Sequence, residues 1–155
     1  MTASASHLNF DIEVEAMAKD QVVETTVRVR YAETDAMGVV YHTNYLIWFE
    51  VGRGEYLRQK GSDYADLEAQ GFCLPVSEVD ARFIAPARYG DLVTIRTWVG
   101  DLRSRSMTLA YEVVMQETGQ VLVTGHTRHI CTDREGRVRV MPREMRRLLG
   151  GDTGR

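Results

Sequence analysis

The sequence predicts an α+β domain in which a mainly antiparallel sheet packs one face on a single long helix. Three observations predict it. A helix-length apolar stretch, Asn44 to Lys60, stands between runs of strand character; those runs are rich in β-branched residues with apolar and polar positions alternating; and short turn sequences separate the last of them.

Residues 1–20 mix small, acidic and apolar types without a sustained period and are expected to be a weakly ordered leader. One domain is expected over 21–150, with 151–155 a polar tail. From Val22 to Tyr31, VVETTVRVRY alternates as a half-buried strand does. The stretch AETDAMGVVYHT that follows has the small, acidic and glycine content of a surface loop, and loops carry function more often than the elements they join. NYLIWFEVGRGEYLRQK, 44–60, is apolar around most of its first two turns, as in a helix sunk into a core. Gly52 and Gly54 each weaken such a helix by about 1 kcal/mol relative to alanine, which makes sense where its backbone passes close to another element. Ser62 to Gln70 starts on a good N-cap and stops at Gly71, predicting a short helix.

Four more strands are expected at Phe72–Ile84, Leu92–Val99, Met107–Gln116 and Val121–Cys131. The connections between the last three are too short for parallel crossovers, so they form an antiparallel meander. Pro142 opens a final helix, PREMRRLL, at position N1. The face of the sheet away from the helix, with Trp98, Thr108, Ala110, Glu112 and Val114, is expected to stay partly exposed, which favours a homo-oligomer.

Composition narrows the function. With 155 residues, 44% hydrophobic and 26% charged, the chain can bury a core unaided and is unlike a disordered chain. A net charge of −3 argues against binding nucleic acid through its phosphates. The two cysteines, Cys73 and Cys131, match no metal or redox spacing and suit a reducing compartment. The first twenty residues show no export signal, and no window is apolar enough for a membrane span, so a cytoplasmic protein without membrane insertion is expected.

Arg28 to Arg58, RVRYAETDAMGVVYHTNYLIWFEVGRGEYLR, resembles the start of the 4-hydroxybenzoyl-CoA thioesterase family of hotdog proteins, in particular its short-chain acyl-CoA branch linked to the Tol-Pal system. Ile84-Ala-Pro-Ala-Arg-Tyr-Gly-Asp91, Arg103-Ser-Arg-Ser106, and Asp133-Arg-Glu-Gly136 with Met141-Pro142 agree with it, so the resemblance runs from Val22 to Leu149. It implies a hotdog fold, an acyl-CoA substrate, a homodimer as the minimal unit with dimers of dimers common, so that a homotetramer is expected, and an active site at the subunit boundary. It further implies that Asp35 attacks the thioester carbonyl or activates a water, and that the backbone N–H of His42 faces the carbonyl oxygen.

Physical chemistry supports that division of labour. A carboxylate serves as base or nucleophile only when held against its electrophile. The first N–H groups of a helix lack acceptors and carry partial positive charge, so an oxyanion formed there is stabilised without reorganisation. Gly38 supplies the turn that lets the chain double back. Tyr41 and Tyr45 fit either pocket walls for the acyl group or core and interface aromatics. Arg103, Ser104 and Arg105 form a basic turn that suits the phosphates of coenzyme A or plain solvent exposure. His126 and His129 fall on opposite faces of a strand, which disfavours a shared metal. The sequence shows no metal-ligand cluster or nucleotide loop, so catalysis is expected to need no cofactor beyond the coenzyme A of the substrate. Two other readings stay open: an enoyl-thioester hydratase or dehydratase using the His42 imidazole, and an acyl-CoA-binding module without activity.

Overall fold

A computed structural model describes residues 21–62 and 64–150; the leader 1–20 and the tail 151–155 lie outside the described residues. The elements are β1 (Val23–Arg28), α1 (Thr43–Gln59), α2 (Tyr64–Ala69), β2 (Val76–Phe83), β3 (Leu92–Leu102), β4 (Ser106–Met115), β5 (Val121–Ile130) and α3 (Arg143–Leu148). The strands form one sheet in the order β1-β3-β4-β5-β2, every neighbouring pair antiparallel. The meander expected of the last three strands is present. Because β1 and β2 occupy opposite edges, the chain between them must cross the whole sheet, and α1 does so against β1, β3 and β4.

Strand alternation makes the core. Val93, Ile95, Leu109, Tyr111, Val113 and Val123 point towards α1 and are buried, meeting Tyr45, Trp48, Phe49, Tyr56 and Leu57 of the helix. At Gly52 the helix backbone touches the sheet: a Cβ there would stand 2.7 Å from Ile95 Cγ2 and would also collide with Thr97. Gly54 differs, since its Cβ would meet only the side chain of Arg58, at 3.5 Å or more, so close approach does not account for it.

Several expectations need correction. The helix is one-sided, because a single sheet covers one flank only; Ile47 is 50% and Val51 37% exposed. Behind the sheet, Thr108 and Val114 keep the partial exposure expected, but Trp98, Ala110 and Glu112 are buried, with Val22 packed against Trp98 and Ala110. Exposed apolar side chains gather instead along the β2 edge, at Val76, Val79, Phe83 and Ile84. Strand β3 runs on past Val99 through a bulge to Leu102, and β2 starts late, with Cys73 making only an isolated bridge to Thr132. Pro142 is the N-cap of α3, with ψ 145°, rather than its first helical residue. No helix among the described residues is long and apolar enough to cross a membrane.

Candidate active site

The loop between β1 and α1 is tied down along its length. Val29 continues the line of β1, donating its N–H to Asp91 O (2.9 Å) and accepting from Gly90 N–H (3.0 Å). A 3-10 turn, Tyr31–Glu33, then leads into a tight hairpin in which Thr34 pairs with Val40. Inside it, Asp35 N–H donates to Val39 O and Gly38 N–H to Asp35 O, both at 2.9 Å. Gly38 adopts φ +77°, the left-handed conformation that favours glycine, so the expected turn is there. Asp35 is half-buried; its Oδ1 accepts Met37 N–H at 2.9 Å, while Oδ2 meets no donor among the described residues.

Glu33 anchors this hairpin to the helix. Only 4% exposed, it accepts Arg30 N–H on Oε1 and the Trp48 indole N–H on Oε2, each at 2.8 Å. Its main-chain oxygen accepts Tyr41 N–H and the Asn44 side-chain amide, each at 2.9 Å. Sequence reasoning missed this residue. A glutamate in a polar loop is usually solvated, and only the three-dimensional meeting with Trp48 reveals its burial.

Helix α1 starts at His42, its N-cap, which supplies no side-chain cap. Asn44 N–H donates to Tyr41 O and Tyr45 N–H to His42 O, whereas the N–H groups of His42 and Thr43 meet no acceptor among the described residues. Two donors at the positive end of a helix dipole are therefore left without an acceptor among the described residues.

Beside that helix start lies a cleft of about 240 Å³ lined by Val39, Val40, His42, Tyr45, Phe83, Ile84, Ala85 and Pro86. The walls are mostly apolar and aromatic, with the His42 and Phe83 rings 5.9 Å apart and the Tyr45 and Phe83 rings 5.7 Å apart. Tyr45 is 3% exposed, and its hydroxyl accepts Ala87 N–H at 3.1 Å; burial raises its pKa, more than the hydrogen bond from Ala87 lowers it. It is thus both core and cleft wall. Phe83, the far end of β2, was not singled out in the sequence, because one aromatic in an alternating strand carries no signal of what it faces.

The other expected site residues fall outside the cleft lining. Asp35 and Gly38 stand on the hairpin whose other arm, Val39 and Val40, lines it. Tyr41 is 47% exposed, its ring edge-on to His42 at 4.5 Å. Arg103, Ser104 and Arg105 turn between β3 and β4 at the far end of the sheet, about 30 Å along β3 from Asp91, so one chain does not bring them to Asp35. Arg103 pairs with Asp101 (2.9 Å), and Ser104 O accepts Met141 N–H (2.8 Å). A larger cleft of about 460 Å³ lies at that far end, between Tyr56, Lys60, Asp101 and Arg146, but none of the expected site residues lines it.

A second buried polar group lies between α1 and the sheet. Arg53 donates to Tyr111 Oη (3.3 Å), Tyr111 Oη meets Thr127 Oγ1 (2.6 Å), Thr127 Oγ1 meets His129 Nε2 (2.8 Å), and His129 Nδ1 reaches Leu74 O (2.9 Å). A carbonyl only accepts, so Nδ1 carries the proton and the whole chain points one way, from Arg53 to Leu74. Burial pushes the His129 pKa down to about 4, aided by the charge of Arg53 against the Leu74 hydrogen bond. His126, on the opposite face, pairs with Asp80 at 3.1 Å, so each histidine has its own partner. Among the described residues no group of three His, Cys, Asp or Glu side chains stands ready to hold a metal ion.

Comparison with known proteins agrees with this fold. Residues 29–149 match the thioesterase-like superfamily. The chain is 36% identical over 114 residues to the putative acyl-CoA thioesterase YneP of Bacillus subtilis, covering 74% of this chain and 82% of that protein. It is 33% identical over 107 residues to the acyl-CoA thioester hydrolase YbgC of Escherichia coli, covering 69% of this chain and 79% of YbgC. Among solved structures, the hypothetical protein TT1821 of Thermus thermophilus superposes with a TM-score of 0.77 at 39% identity, over 82% of this chain and 96% of that one. A five-stranded antiparallel sheet packed on one long helix and a family match over most of the chain converge: the protein belongs to the thioesterase-like superfamily of hotdog-fold thioester hydrolases.

Proposed function

We propose that this protein is a cytoplasmic acyl-CoA thioesterase of the short-chain hotdog branch, with Asp35 as nucleophile or general base and the His42 N–H polarising the thioester carbonyl. The carrying observation is the hairpin 34–40, which bears a carboxylate with one unengaged oxygen and runs directly into a helix start whose first two N–H groups meet no acceptor among the described residues. The acyl group occupies the cleft against Tyr45 and Phe83, and Gly38 and Tyr41, each next in sequence to a residue of its lining, are assigned to substrate binding in the same reading. Two free cysteines, Cys73 and Cys131, suit a reducing compartment.

In the nucleophilic route the Asp35 carboxylate attacks the carbonyl carbon, the oxyanion is held by the helix N–H groups, and the C–S bond breaks to give a mixed anhydride and coenzyme A thiolate. Water then hydrolyses the anhydride. In the general-base route Asp35 takes a proton from water, the hydroxide adds to the carbonyl, and the same C–S bond breaks, the thiolate taking up the proton. Either way one donor of the oxyanion contributes about 3 kcal/mol to the barrier reduction.

The active unit in this reading is at least a homodimer, and a homotetramer by pairing of dimers. The unpaired outer edge of β2 and the exposed Ile47 and Val51 of α1 form a surface that a second copy covers. Antiparallel pairing of β2 with its counterpart sets the Phe83 end of one strand beside the Val76 end of the other. That arrangement draws the distant Arg103–Arg105 turn of the second copy towards this cleft, where it holds the phosphates of coenzyme A.

Thiol release from a panel of acyl-CoA esters tests the reading, with hydration of an enoyl-CoA run beside it. Asp35→Asn is expected to reduce thiol release at least about a hundredfold with folding intact. Hydration without thiol release, or a near-full rate in the variant, would overturn it.

A further inference from the structure

We propose that Glu33 is a positioning residue that holds Asp35 and the His42 N–H at their working separation by clamping both ends of the loop that carries them. This rests on the thioesterase reading above. Asp35 lies two residues after Glu33 and His42 directly after Tyr41, so both reacting groups hang from one loop whose base is the bond from Tyr41 N–H to Glu33 O (2.9 Å). Whatever locates Glu33 locates both of them.

What locates Glu33 is the core. Its Oε2 accepts the indole N–H of Trp48 at 2.8 Å, and Trp48 is 2% exposed with its ring edge-on to Tyr45 at 5.0 Å. Oε1 accepts Arg30 N–H at 2.8 Å and lies 3.3 Å from Arg30 Nε, which ties the end of β1 to the same point. The Glu33 carbonyl takes a second donor, Asn44 Nδ2 at 2.9 Å, from the first turn of α1. One buried residue thus joins these parts: its side chain links Arg30 to Trp48 in the second turn of the helix, and its carbonyl links Tyr41 to Asn44 in the first.

The side-chain chemistry leaves little room for substitution. Two donors, on residues 30 and 48, need two acceptor oxygens, and only a carboxylate offers both. Glutamine keeps the size but turns an NH₂ group towards one of those N–H donors, and a displacement of the order of 1 Å in a catalytic constellation costs about a hundredfold in rate.

Glu33→Gln is expected to lower kcat for thiol release about tenfold to a hundredfold with KM changed less than about threefold. Combined with Asp35→Asn it adds less than its full loss, because the part that acts through Asp35 has nothing further to misplace and only the His42 N–H is left to move. Trp48→Phe, which removes one donor and leaves the carboxylate, is the second variant should Glu33→Gln fail to fold, and should lower kcat about threefold to thirtyfold. Amide hydrogen exchange supplies a readout independent of activity: at Gly38 and Tyr41 it should quicken at least about tenfold in either variant, with Ile95 of β3 unchanged. Wild-type kcat in the variants, or a Glu33→Gln loss that multiplies in full on Asp35→Asn, overturns the proposal. An inactive wild type would instead sink the thioesterase reading, and unchanged exchange at Gly38 and Tyr41 would still refute the clamp.

Discussion

Acidification should destabilise this protein through His129, and the size of the effect follows from the structure. The imidazole is 1% exposed and its pKa falls from 6.5 to about 4, chiefly through burial. Its neutral form fits the polarised chain Arg53, Tyr111, Thr127, His129, Leu74 O without a conflict. A proton on Nε2 would reverse Thr127 and Tyr111 in turn and set the tyrosine hydroxyl against the guanidinium donor of Arg53. The folded-state pKa is the depressed one, so the unfolded chain binds the proton first. Above about pH 6.5 no penalty exists; it grows as pH falls from there and levels off below about pH 4. A gap of about 2.5 pKa units corresponds to about 3 kcal/mol in full, of which about 2 kcal/mol is present by pH 5. Urea denaturation at pH 7 and pH 5 measures the loss, and the same pair on His129→Gln removes the contribution of carboxylates. The wild type should lose about 2 kcal/mol more than the variant over that interval. Equal losses, or an NMR titration of His129 near 6.5, would refute the argument, as would a neutral imidazole protonated on Nε2.

Further tests reach other parts of the molecule. Gly52→Ala should destabilise by about 1–3 kcal/mol in thermal or urea unfolding, because the new methyl meets Ile95 and Thr97; a change under about 0.5 kcal/mol would show that helix and strand separate freely. His42→Ala should retain far more thioesterase activity than Asp35→Asn, since the backbone N–H survives the change; losses of equal size would move the chemistry to the imidazole. Val79→Lys places a charge on the exposed β2 edge, where Val79 is 50% exposed, and light scattering should show association weakened at least about tenfold, with the monomer still folded. An unchanged mass would remove β2 from the subunit contact.

Much of the architecture was legible because it depends on local periodicity. Apolar alternation placed β3, β4 and β5, and the short turns between them required antiparallel neighbours. The apolar run 44–60 gave the long helix to within a residue at each end. Gly52 announced a close contact that exists, whereas Gly54, identical in sequence logic, faces its own helix's Arg58. The back of the sheet misled for a related reason: alternation shows that Trp98 faces away from α1 but not whether that face is covered.

The site divides along the same line. By itself the sequence determined that an aspartate, a glycine and a helix start follow one another closely, since the seven residues from Asp35 to His42 leave a short chain few ways to turn. Only the tertiary structure decided that Glu33 is buried against Trp48, that Phe83 forms a wall of the cleft, and that Arg103–Arg105 lies at the far end of the sheet from Asp35. Those facts depend on which strand lies beside which and on where a helix crosses them. Such contacts join residues fifteen to seventy positions apart, and no local pattern in a chain encodes a distance of that kind.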